Sequence, residues 1–132
     1  MGIFGNMLNQ TKELTRLANA IENVNTFLDE YEHDPDPTWL YAAAWLCKVG
    51  VVDIIEKNGW PPYYKVSVNI NGKRQFIQMT EVMTVTIARL SYKTSKTNNN
   101  QLQENISNIL DGGTFFYKID KQIPSPVRKI IE

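Results

Sequence analysis

Apolar residues near the start of the chain recur at steps of three and four. Leu14, Leu17, Ile21, Val24, Leu28 and Tyr31 form one stripe, with Met7 a heptad earlier and polar Gln10 between. That period predicts one long helix over residues 6–32. Leu14, Leu17, Ile21, Val24 and Leu28 are its candidate association seam, the a and d positions of a coiled coil. Ala18 and Phe27 widen the stripe beyond such a seam. The extra width favours a helix lying on its own domain core, because a free two-stranded coil needs only the narrow stripe.

Pro35 and Pro37 then push Asp34 and Asp36 out of helical geometry. Asp36 reads as the N-cap of a second helix, with Pro37 at its first position. Trp39, Leu40, Ala43, Ala44, Leu46 and Cys47 make that helix apolar on nearly every side, so it is expected at the centre of the core. Gly50 interrupts it. A short helix over 51–57 is expected to follow and end at Asn58 and Gly59.

After Trp60, Pro61 and Pro62 the period changes to two. Residues 65–70 alternate, and Asn71 with Gly72 supplies a type I′ turn, which needs positive φ at both positions. The return strand covers 74–79. A two-residue turn sets the register, placing Val66 opposite Ile77, Ser67 opposite Phe76 and Val68 opposite Gln75. Val66, Val68, Ile70, Ile77 and Met79 then share the core face. Tyr63, Lys65, Ser67, Asn69, Arg74, Phe76 and Gln78 share the other.

The Val, Thr and Ile content of residues 82–87 predicts a third strand. A helix competes for the same stretch, since Met79, Val82, Met83, Ile87 and Leu90 fall on one helical face. Residues 93–100 read as a loop. Leu102, Ile106, Ile109 and Leu110 mark a short helix closed by Asp111, Gly112 and Gly113. A strand over 114–119 and a helix over 127–131, opened by Ser125 and Pro126, complete the expected order. The fold class is α+β: N-terminal helices, the first one long, packed on a small and mainly antiparallel sheet. At 132 residues the chain is expected to form a single domain, 1–132.

Charge changes this picture, although the net charge is zero. Residues 1–56 hold three Lys/Arg against nine Asp/Glu. Residues 57–96 hold seven (Lys57, Lys65, Lys73, Arg74, Arg89, Lys93 and Lys96) against Glu81 alone. An acidic helical half and a basic sheet half can steer a partner, or match copies of the chain head to tail.

Candidate chemistry is sparse. His33 is the lone histidine, set among Asp29, Glu30, Glu32, Asp34 and Asp36. Their spacing is not that of a calcium loop, and one His with one Cys cannot make a zinc site, so neither metal nor cofactor is expected. Cys47 sits on an apolar helix, where cysteine acts as a small hydrophobe, and no catalytic motif is present. A single cysteine also excludes an internal disulfide and suits a reducing, cytoplasmic setting. The most apolar run, residues 39–52, is broken by Lys48 and Gly50, so no integral membrane segment is expected.

The expected function is therefore non-enzymatic: a protein-binding or assembly domain that self-associates, its partner another protein or a second copy. The alternative is a single-stranded nucleic-acid-binding domain. Its surface is the basic aromatic face of the hairpin, with Tyr63, Lys65, Arg74 and Phe76, joined by Arg89. Against it stands the expectation that a helix covers Phe76 while Lys65 and Arg74 ring its edge.

Overall fold

The computed structural model describes residues 2–111, with side chains from Lys12 onward. The strand expected at 114–119 and the helix at 127–131 lie outside the described residues. The elements are α1 (Gly2–His33), α2 (Pro37–Cys47), a π-helical turn (Lys48–Val52), α3 (Asp53–Asn58), β1 (Lys65–Ile70), β2 (Lys73–Gln78), α4 (Met79–Ser95) and α5 (Asn100–Leu110). This is a mixed α+β arrangement, with helices packed on a two-stranded antiparallel sheet.

The a/d stripe of α1 faces inward. Leu17, Ile21, Val24 and Leu28 are buried, and Leu14 packs half-buried against the same core. Phe27, from the widened part of the stripe, is fully buried and lies 5.9 Å from the Trp39 ring between centroids. The association seam is thus filled from within: α1 packs along α2 on one side and along β1 on the other. A wide apolar face has found a domain core instead of a second helix of its own kind.

Asp36 caps α2 as its sequence signals, accepting a hydrogen bond from the Thr38 N–H at 3.0 Å. Leu40, Ala42, Ala43, Ala44, Leu46 and Cys47 are buried, and α2 packs against α1, α4 and α5. The Gly50 interruption is a π-helical turn, so α2 passes into α3 without a break. Gly50 marks a close approach: a Cβ there would lie 2.8 Å from the Cβ of Ala20 on α1 and 2.9 Å from Leu46 Cδ1. The continuous run Pro37–Asn58 is 22 residues, long and apolar enough by length and composition to cross a membrane. Its buried face here lines the core of the domain. Gly59 closes α3 with φ of 57°.

The hairpin adopts the expected register, Val66 opposite Ile77, Ser67 opposite Phe76 and Val68 opposite Gln75. Asn71 and Gly72 take φ of 55° and 81°, as a type I′ turn demands. Val66, Val68, Ile70, Ile77 and Met79 are buried.

Residues 79–95 are helical, which corrects the expected third strand. Met79, Val82, Thr86, Leu90 and Thr94 form the buried face, at helical spacing. The buried threonines of this helix are accommodated locally. Thr86 Oγ1 donates to the Val82 carbonyl and Thr94 Oγ1 to the Leu90 carbonyl, both at 2.8 Å. With their hydroxyls satisfied one turn back, burial on a helix costs little, and packing overrides β propensity. Asn99 caps α5 through a bond from the Leu102 N–H, and α5 buries Leu102, Ile106 and Ile109.

Candidate recognition surface on the hairpin

Backbone alternation gives the hairpin two different edges. The Asn71 and Gly72 turn makes Ile70 and Lys73 a hydrogen-bonded pair, and such pairs alternate along the ladder. Lys65, Ser67 and Asn69 therefore turn their N–H and C=O groups away from β2. Arg74, Phe76 and Gln78 turn theirs away from β1. The Met79 N–H bond to the Tyr64 carbonyl (2.8 Å) continues the same alternation beyond the strands.

The β1 edge is managed. Helix α1 runs beside it, and Glu22 Oε1 accepts the outward Asn69 N–H at 2.6 Å. An open groove of about 470 Å³ lies between them, lined by Leu14, Ala18, Glu22, Lys65, Ser67 and Arg74 among others. The β2 edge has no such cover: no strand lies beyond β2 among the described residues.

The outer face is equally open. Tyr63 is 75% exposed and Phe76 68% exposed, so no described helix covers Phe76, contrary to the expectation. Lys65 and Arg74 are exposed on the same face, Lys73 is exposed at the turn on the face of its partner Ile70, and residues 63–78 contain no Asp or Glu. Arg74 Nη1 donates to Ser67 Oγ across the strands at 3.2 Å, which holds that guanidinium on the outer face. Tyr63, Lys65, Arg74 and Phe76 thus share one ribbon.

Arg89 does not join them. It sits half-buried on α4 and donates to Asn25 Oδ1 of α1 at 2.8 Å, a link that fastens helix to helix. Comparison with protein-family models, with curated proteins and with solved structures finds no match to this chain. The surface must be read from its own chemistry.

Part of the charge sorting is consumed inside the fold. Lys93 of α4 forms an ion pair with Glu32 at the end of α1. Lys48 pairs with Asp53 at 2.5 Å. In the acidic turn, Asp36 caps α2, Asp34 Oδ2 accepts from Trp39 Nε1 at 3.4 Å, and His33 Nδ1 donates to the Asp29 carbonyl at 2.9 Å. The Thr38 N–H also holds the Asp36 carboxyl below its ordinary value. Just past α4, Lys96 stands over the exposed Tyr92 ring, 4.2 Å from its centroid. The cations of the hairpin enter none of these ion pairs.

The remaining candidate groups do not converge. Cys47 is fully buried on α2, and burial pushes its thiol up to about 12, which keeps it protonated and unreactive at neutral pH. His33 is exposed at the far end of α1. Among the described residues no group of three His, Cys, Asp or Glu side chains comes together.

Sequence reasoning misses one residue that shapes the surface and misplaces another. Glu22 carries no motif, and its role as a strand-edge cap exists only once α1 lies beside β1. Arg89 joins the basic face on charge alone, and the structure places it on α4 against Asn25 instead.

Proposed function

We propose that this chain is a non-enzymatic protein-binding domain whose recognition surface is the outer face and free β2 edge of the hairpin. One observation carries the reading. Two exposed aromatics and two cations share the outer face of an acid-free hairpin, and no described strand pairs with its β2 edge. An open edge offers main-chain bonds to an extended segment, while Phe76, Tyr63 and Arg74 supply the aromatic and arginine anchors that dominate protein interfaces. In this reading the run Pro37–Asn58 belongs to the protein core and not to a bilayer. Its apolar face is packed, and exposed Asp53, Glu56 and Lys57 lie toward its C-terminal end.

Site-specific photo-crosslinking tests the proposal. A photoreactive phenylalanine analogue replaces Phe76, and a control replaces exposed Thr26 on α1. Discrete protein adducts are expected in cells from position 76 and not from position 26. Absence of any protein adduct at 76 contradicts the reading.

A second reading, single-strand nucleic-acid binding, uses Tyr63, Lys65, Arg74 and Phe76 on the same face. The favouring observation is the exposure of Phe76 beside Lys65 and Arg74, which suits base stacking with phosphate neutralisation. Titration of labelled single strands at low salt decides it. Binding that Phe76→Ala with Lys65→Glu abolishes supports this second reading; no binding removes it.

A further inference from the structure

We propose that the free edge of β2 pairs antiparallel with β2 of a second copy, centred on Phe76, to form a four-stranded sheet across a two-fold axis. This rests on the reading of the hairpin as the recognition surface and names its occupant.

The edge itself comes first. Arg74, Phe76 and Gln78 present outward N–H groups, whereas on β1 Glu22 of α1 answers Asn69 and the Lys65 and Ser67 end faces the groove beside α1. Natural proteins blunt an exposed edge with charge, and here Lys73 and Arg74 do so at one end only. The other end, from Gln75 to Gln78, is neutral and carries the exposed Phe76.

Charge then selects the register. The hairpin has cations and no acids, so a pairing that brings arginines together is repelled. Two-fold registers centred on Arg74 or Gln75 set the two Arg74 side chains opposite or diagonal to each other. Registers centred on Ile77 or Gln78 run off the end of β2 into α4. Centring on Phe76 avoids both faults. It sets Phe76 against its twin on the exposed face and Arg74 opposite Gln78 of the other copy. Gln78 stands three residues before Glu81, which lies exposed in the first turn of α4 and is the sole acid among residues 57–96. Arg74 of each copy is thereby brought toward the one carboxylate in this basic region.

A six-residue strand edge is a small interface, so the association is weak and concentration-dependent, in the class of transient contacts. Main-chain bonds at Arg74 and Phe76 give affinity, and the Arg74–Glu81 pair gives register.

Sedimentation equilibrium of the full chain over a wide concentration range tests the pairing. The native chain is expected to pass from monomer to dimer. Gln78→Pro is the informative variant. Gln78 already has φ of −64°, which suits the proline ring, and its N–H points away from β1. The variant is expected to keep its circular dichroism and melting temperature while dimerisation weakens on the order of tenfold or more. Arg74→Glu and Glu81→Arg are each expected to weaken the dimer, and together to restore it. A native chain that stays monomeric throughout overturns the pairing, as does a dimer indifferent to Gln78→Pro. If adducts at position 76 then contain a different protein, the binding function stands and self-pairing falls. Without any adduct, both fall.

Discussion

At the scale of single residues, Cys47 and Gly50 show how tightly the centre of the domain is built. Burial holds the Cys47 thiol at about 12 against an ordinary value of 9.0. Well below pH 9 the thiol is protonated in both folded and unfolded chains and contributes no pH dependence. Between about 9 and about 12 the unfolded chain releases the proton and the folded chain keeps it. This group therefore makes stability fall as pH rises through that window. A thiol reagent at pH 8 is expected to label Cys47 only as the protein unfolds, and rapid labelling of the folded chain contradicts its burial. Gly50 is tested by Gly50→Ala. The new methyl meets the Ala20 Cβ at 2.8 Å, and a Cβ moves only with its backbone. Overpacking of this kind costs about 1–3 kcal/mol, measurable as a lower urea midpoint. Ala20→Gly in the same chain is expected to recover part of the loss.

At the scale of elements, α1 and α4 divide what the sequence made legible from what it did not. The heptad steps from Leu14 to Leu28 specify a helix and its buried face, and the width added by Phe27 points to an internal partner. Leu17→Ala is accordingly expected to cost stability, about 2–5 kcal/mol by urea unfolding, without changing the assembly state of the protein that remains folded. In α4 two local signals conflict. Thr84, Val85, Thr86 and Ile87 favour a strand, while Met79, Val82 and Leu90 are spaced for a helix. Local propensity cannot settle that conflict. Thr86 and Thr94 become cheap to bury only after the helix exists, and Arg89 and Lys93 find Asn25 and Glu32 only after α4 lies against α1. Leu90→Ala checks the outcome. As a fully buried helical position it is expected to lose about 2–5 kcal/mol, and exposed Ala88→Ser much less. The hairpin was readable almost in full, because a two-residue turn with Asn and Gly leaves one register and one core face.

At the scale of the whole molecule, charge sorting does two jobs. Its helical part fastens α4 to α1 through Lys93 with Glu32 and Arg89 with Asn25. Its hairpin part is left outside with Phe76 and Tyr63 on the open outer face, beside a β2 edge with which no described strand pairs. The sequence placed the aromatic and basic residues on one face. Sheets in α+β domains commonly carry a helix on this face, but no described helix lies over Phe76, which is open. Residue-resolved amide hydrogen exchange on β2 tests the account most directly. Gln75 and Ile77, bonded to β1, are expected to exchange slowly at every protein concentration. Arg74, Phe76 and Gln78 are expected to exchange quickly in dilute protein and to slow as concentration rises. Outward amides already slow in dilute protein would show that the chain covers its own edge; outward amides fast at every concentration would show that no second copy takes it.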